Sequence, residues 1–97
     1  REVAKAITFS GAKFSPLSKD EMNKLNLDGG AKISNVRTSE FKNSGIEDGF
    51  IITRIDKAKV EKPQDVERLL KNAKEEGVLV EGIYPDGRRA YYPIGRG

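Results

Sequence analysis

Apolar residues recur along this chain with two periods, near two and near 3.6, and the switches between them mark out short strands and short helices. Ala4 to Phe9 (AKAITF) alternates and predicts an entering strand with Ile7 and Phe9 on one face. Ser10-Gly11-Ala12 breaks it. Lys13-Phe14-Ser15 resumes an extended course, but Pro16 has no N–H to give a ladder, so this second strand is short or lies at a sheet edge. Ser18-Lys19-Asp20-Glu21 is a capping box that opens a short helix with Met22 and Leu25 inward, and Gly29-Gly30 closes the excursion. Ala31 to Arg37 (AKISNVR) predicts a further strand with Ile33 inward. Val36 falls out of alternation there, which marks a bulge or a strand end.

The stretch from Ser39 to Leu70 organises the rest. Ser39 can cap a one-turn helix that Gly45 stops in the left-handed conformation, with Ile46 as its hydrophobic contact. After a sharp turn at Asp48-Gly49, the β-branched run Phe50, Ile51, Ile52 and Ile55 fits a strand covered on both faces, and a second short strand follows it. Pro63 sits where a first helical turn tolerates proline. Val66, Leu69, Leu70 and Ala73 then recur at helical spacing until Gly77. Beyond it, Val78 to Tyr84 and Arg89 to Ile94 read as a hairpin around the Pro85-Asp86-Gly87 turn. Five or six short strands with two or three helices, none arranged as βαβ units, place the chain in the α+β class, mainly β: a small, partly open barrel capped by helices.

Bulk properties narrow this picture only a little. Ninety-seven residues predict one domain, 1–97, with a folded core over about 4–95 and enough size to stand without metals or disulfides. Eighteen Lys and Arg against fifteen Asp and Glu leave a net charge of +3, but the signs interleave and Arg88-Arg89 is the one basic pair of the folded part. That argues for a solvated surface and against a nucleic-acid footprint, which needs clustered charge. No apolar run reaches membrane-spanning length and nothing at Arg1 reads as a leader, so the chain reads as a domain cut from a longer protein.

With no histidine and no cysteine, the chain lacks the common general base, the common zinc ligands and a thiolate nucleophile. Ser18-Lys19 and Ser44 are better explained as caps, and the carboxylates Asp48 and Glu75-Glu76 as solvated groups at a turn and a helix end. No catalytic residue, metal or cofactor is expected.

The run Ser44-Gly45-Ile46, Gly49, Ile51-Ile52, Ile55-Asp56, Val60, followed by a helix with Val66 and Leu69-Leu70, resembles the central signature of PDZ domains. It is most similar to those that follow the protease domain in HtrA/DegP-like (Do-family) serine proteases, in particular the second of the two. Gly49-Phe50 stands where that family often has Gly-Asp, and Asp56-Lys57-Ala58-Lys59 where it often has an Asn-Gly turn. The resemblance implies a PDZ-like fold and a peptide-binding role. It further implies a periplasmic setting, a parent serine endopeptidase whose triad lies outside this chain, and neighbouring protease and PDZ domains as partners. The parent would be oligomeric and the isolated domain a monomer, with neither nucleic acid nor membrane insertion.

It also implies a site. Phe9-Ser10-Gly11-Ala12 stands where PDZ domains carry Gly-Φ-Gly-Φ, with Gly11 as the retained glycine, and the inward N–H groups of Ser10, Gly11 and Ala12 would form a nest for a peptide carboxylate. An incoming peptide would add as an antiparallel strand along Ala12 to Ser15, with Ala12 and Phe14 on the groove floor and Lys13 toward solvent. The opposite wall, carried over from the family's helix, would be Pro63, Glu67 and Leu70, leaving Val66 and Leu69 to the core. Two readings stay open at this point. One is a peptide-binding module that captures C-terminal or hydrophobic segments. The other is a structural PDZ-like spacer with a degenerate groove whose surface mediates contacts between protomers of an oligomeric protease, favoured by the departures at Ser10 and Pro16, in which Ser10-Gly11-Ala12 is a plain turn.

Overall fold

In the computed structural model the described residues are 5–73 and 77–95. They form strands β1 (Ile7–Phe9), β2 (Ala12–Pro16), β3 (Ala31–Ser34), β4 (Ile51–Ile55), β5 (Ala58–Lys59), β6 (Gly77–Ile83) and β7 (Arg89–Gly95), with helices α1 (Lys19–Leu25) and α2 (Pro63–Asn72). All the pairings are antiparallel, in one open sheet of order β1-β2-β3-β4-β6-β7, with β5 on β4. The α+β class expected from the sequence holds, with seven strands among the described residues instead of five or six.

The centre is β4. Ile51 and Ile52 point to opposite faces as neighbours in a strand must, yet both are buried, as are Phe50 and Ile55. Ile52, Ile55 and Phe50 join the main core with Phe14, Ile33, Val60, Val66 and Val80. Ile51 faces the other side, against Gly30 of the segment that follows α1. Between Ile52 and Arg54 the pairing with β6 slips at Thr53, a bulge that lets Ile55 stay buried after two adjacent buried isoleucines.

Local chemistry explains the flanks. Ser18 and Glu21 form the expected reciprocal capping box, and Glu21 also pairs with Lys32 on β3, so its carboxyl is held below the usual range by that lysine and by the Ser18 N–H. Met22 and Leu25 are only half-buried. β3 ends at Ser34, earlier than the expected Arg37, because Asn35 turns left-handed at φ 61° and starts a 3₁₀ turn over Val36–Thr38. The strand end, not a bulge, is therefore what put Val36 out of alternation. Asp48, expected to be merely solvated, accepts the Val36 N–H at 3.0 Å and ties that turn down.

The one-turn helix expected after Ser39 is instead a series of turns. Ser39 is buried, donates to the Val36 carbonyl at 2.7 Å and accepts the Phe41 N–H at 3.0 Å. Ser44 does the same one step on, donating to Phe41 O at 2.6 Å and accepting from Ile46 N at 3.2 Å. Gly45 does take the left-handed stop, at φ +97°, and its open side faces the Tyr92 ring. That ring meets Phe50 edge-on at 5.1 Å, while its hydroxyl shares a 2.6 Å hydrogen bond with Tyr84, whose hydroxyl accepts the Glu47 N–H. Asp56-Lys57, where the signature favours Asn-Gly, still adopts two positive φ values, 50° and 73°. Asp56 is anchored by exchanging hydrogen bonds with Leu79, its Oδ1 accepting the Leu79 N–H and its own N–H donating to Leu79 O, both at 2.8 Å.

Helix α2 starts at Pro63 as expected. Asp65 closes its first turn by accepting N–H groups of Glu61 and Lys62. Burial alone would raise the Asp65 carboxyl, but these bonds and the Arg68 guanidinium outweigh it and hold it below the usual carboxylate value. The helix ends at Asn72, and Gly77 opens β6 instead of stopping the helix; Glu75-Glu76, like Ala4, lies outside the described residues. No described helix is long and apolar enough to cross a membrane.

The face of α2 corrects the sequence reading. Pro63, Val66 and Leu70 are buried, and Leu69 is only partly so. At about 100° per residue, positions 63, 66 and 70 fall within an arc of about 60°, and position 69 sits to one side of it. Leu70 is thus the core residue and Leu69 the flanking one. Leu70→Ala is expected to cost about 2–5 kcal/mol in urea unfolding, the range for truncating a buried leucine, and Leu69→Ala less than half as much. Equal losses would mean the helix is rotated from this position. A second expectation concerns Tyr92, whose burial first, and its bond to Tyr84 second, push its phenol up to about 12. Because the folded value exceeds the ordinary value of about 10, this contribution to stability is complete below about pH 10 and is lost as pH rises toward 12. Ultraviolet titration of wild type against Tyr92→Phe should show the late-ionising phenol disappear in the variant.

Candidate functional site

The residues expected to bind a peptide come from three elements: the β1–β2 connection, β2 itself and α2. Phe9 is opposite Ala12, so Ser10-Gly11 is a two-residue hairpin loop. Its φ values, 53° and 88°, are both positive, the signature of a type I′ turn whose twist matches its strands. Gly11 is required on two counts. Its φ suits glycine, and a Cβ there would stand 3.0 Å from both the Thr38 carbonyl oxygen and the Ser39 Cα. The Ser10 carbonyl accepts the Glu40 N–H at 2.9 Å, which ties the turn to the segment after the 3₁₀ turn. A two-residue connection makes its flanking residues the hydrogen-bonded pair, so the Ala12 N–H is directed at Phe9 across the hairpin and is not turned into a nest.

The expectation that β2 offers a free edge is overturned. Phe14 pairs with Ile33 of β3 on one side and with Ile7 of β1 on the other, and Lys13 likewise with Ser34 and Thr8. The entering strand has folded back along it. Ala12 and Phe14, expected on a groove floor, are fully buried, and the Phe14 ring meets Phe41 edge-on at 6.1 Å. Lys13 does point to solvent. On the helix, Pro63 and Leu70 are in the core, while Glu67 is half-exposed and pairs with Lys71 at 3.1 Å.

What the structure brings together is therefore β1, β2 and α2, packed as neighbours with β1 along the edge of β2. This chain matches no family model, no curated protein and no solved structure. Ile7 and Phe9 pack half-buried against the core and Thr8 faces out, so β1 presents the alternation expected of a strand in a slot. The residue that sequence reasoning missed is Gln64. Its Nε2 donates to the Lys5 carbonyl at 3.3 Å, and its Oε1 is buried without a partner. Nothing in the pattern marked it, since a polar residue in the first turn of a helix is ordinary.

A separate open cleft of ≈ 350 Å³ lies between the α1–β3 loop and strands β4, β5, β6 and the start of β7, lined in part by Asp28, Arg54, Lys59 and Arg89. It contains none of the expected groove residues. Lys59 is paired there with Asp28 at 2.7 Å, which lowers the Asp28 carboxyl and raises the lysine. Surface ion pairs of this kind contribute little to stability.

The turn supplies a test of its own. Asn-Gly is the pair best suited to a type I′ turn, whereas Ser10 bears a left-handed φ without glycine's or asparagine's tolerance for it. Ser10→Asn is expected to raise stability by about 0.5 kcal/mol, read as a higher urea midpoint at unchanged slope. A lowered midpoint would show that the serine is held by something other than turn geometry.

Proposed function

We propose that this chain is a non-catalytic peptide-binding domain of PDZ type, of the kind that follows the protease domain in HtrA/DegP-like serine proteases. On this reading it takes extended C-terminal or hydrophobic segments by strand addition beside β2, and so tethers or positions substrates for a protease domain of the parent protein. The observation that carries the reading is that the edge of β2 beside α2 holds an extended antiparallel strand with two apolar side chains packed inward, and that the helix, through Gln64, donates to the carbonyl of Lys5 just ahead of that strand. A place that accepts Ile7-Thr8-Phe9 has the shape, the ladder groups and the apolar floor that an added peptide needs. The seven-stranded antiparallel sheet with two helices is compatible with the partly open PDZ barrel that the signature implies. A periplasmic setting and an oligomeric parent belong to the same reading, and so does the absence of hydrolysis, which the lack of His and Cys supports.

One observation favours the structural-spacer alternative. Both edges of β2 are paired and its inward residues are fully buried, so a domain whose first strand never leaves would have no groove to offer.

Amide-resolved titration of the ¹⁵N-labelled chain with hydrophobic peptides separates the two. Saturable shifts confined to β1, β2 and the first turns of α2, with dissociation constants on the order of micromolar, are expected. A free-acid peptide should bind about tenfold tighter than its amide, because displacing β1 frees the Ala12 N–H to join those of Ser10 and Gly11 around the carboxylate. Flat spectra across a varied peptide set would favour the spacer. Equal binding of acid and amide would reduce Ser10-Gly11-Ala12 to a plain turn.

A further inference from the structure

We propose that β1 is an intramolecular occupant of the peptide slot, hinged at Ser10-Gly11, so that only molecules whose β1 has swung out can take a peptide. The proposal rests on the strand-addition reading above and adds the control of access. Three independent features of the strand carry it. First, β1 holds the very edge of β2 that a peptide would need, in antiparallel register from Ile7↔Phe14 to Phe9↔Ala12. Strand addition and the folded-back strand exclude each other.

Second, β1 is held by little. It is three residues long, and its two inward side chains are only half-buried, whereas Phe14 beneath them is fully so. On the helix side the 3.3 Å bond from Gln64 goes to the carbonyl of Lys5, two residues ahead of the strand. The other end of that amide, Oε1, is buried with nothing donating to it. A buried acceptor without a donor is costly, so the resident strand satisfies the helix side of the slot incompletely. An incoming strand with an N–H at that point would satisfy it.

Third, the hinge carries strain in the closed state. Ser10 is a non-glycine residue at φ 53°, a left-handed conformation that the type I′ turn imposes while β1 lies on β2. Opening relieves it. A short strand, an unfilled acceptor and a strained hinge together describe an element drawn from the low-stability end of the molecule. Where the competent state is a fraction of the population, the apparent affinity falls by that fraction.

A disulfide tests this directly, because the chain has no cysteine of its own. Thr8 and Lys13 are directly opposite, and the two-residue turn makes them the non-hydrogen-bonded pair, whose close Cα approach suits a disulfide. Both side chains face solvent, so the staple stands clear of the slot's inner face. The full chain carrying Thr8→Cys and Lys13→Cys would be compared oxidised and reduced, by fluorescence anisotropy with a labelled KAITF peptide that copies residues 5–9. Oxidation is expected to weaken binding about tenfold or more, and reduction to restore it. In a second variant, Ile7→Ser with Phe9→Ser, the weakened strand should bind the same peptide several-fold tighter than wild type, with its core amide spectrum preserved. Oxidised protein that binds as tightly as reduced overturns the gate while leaving peptide binding intact. Failure of both the reduced and the Ile7→Ser/Phe9→Ser proteins to bind any peptide overturns the strand-addition reading, and the gate with it.

Discussion

Burial of one strand on both faces governs this molecule. A strand that carries Ile51 and Ile52 in succession cannot turn either toward water without losing about 1.5–3 kcal/mol of transfer free energy for that side chain. It must be central, laddered on both edges and covered above and below. β3 and β6 supply the ladders, α2 covers the Ile52 side through Val66 and Leu70, and the segment ending at Gly30 covers the Ile51 side. The remaining elements are then fixed to these: α1 by its link to β3 through Glu21 and Lys32, β5 by its hairpin to β4, and β7 by its register on β6.

How much of this the sequence disclosed depends on whether local or distant partners decide. The capping box at Ser18, the left-handed Gly45, the doubly buried β4 and the β6–β7 hairpin are determined by residues within a few positions of each other, and they are legible. The fate of β1 is not. Ile7-Thr8-Phe9 alternates like any entering strand, and nothing in that alternation says which edge it will join. The two-residue spacing to Ala12 permitted a tight turn, which stayed open as the plain-turn reading, but Ser10 in place of Asn or Asp left its hairpin type unmarked.

Helix α2 shows a second limit. Val66, Leu69 and Leu70 satisfy i+3 and i+4 spacing equally well, so periodicity could not choose between the two leucines. Pro63 decides, because as a buried first-turn residue seven positions before Leu70 it adds a third point and pulls the apolar arc toward position 70. The expectation put Pro63 and Leu70 together on one face, but gave that face to the groove instead of the core. The groove assignment inherited the error, since moving Leu70 into the core leaves Gln64 and Glu67 as the polar flank of the helix.

The edges of the sheet give β1 a reason to exist whether or not a peptide ever enters. An unpaired β2 would present N–H and C=O groups above the buried Phe14, a template for unwanted pairing with other chains. Folding the entering strand back covers that edge with the chain's own residues, at a loop-closure cost kept small by a two-residue turn. The opposite edge, β7, is protected differently, by Pro93, which lacks an N–H, and by the charge of Arg89. The contrast is informative. Proline and charge block an edge permanently, whereas a hairpin strand blocks it reversibly, with a strength set by how deeply Ile7 and Phe9 are buried and how well Ser10 tolerates its turn. An edge closed by a strand is therefore the one of the two that a better strand can open.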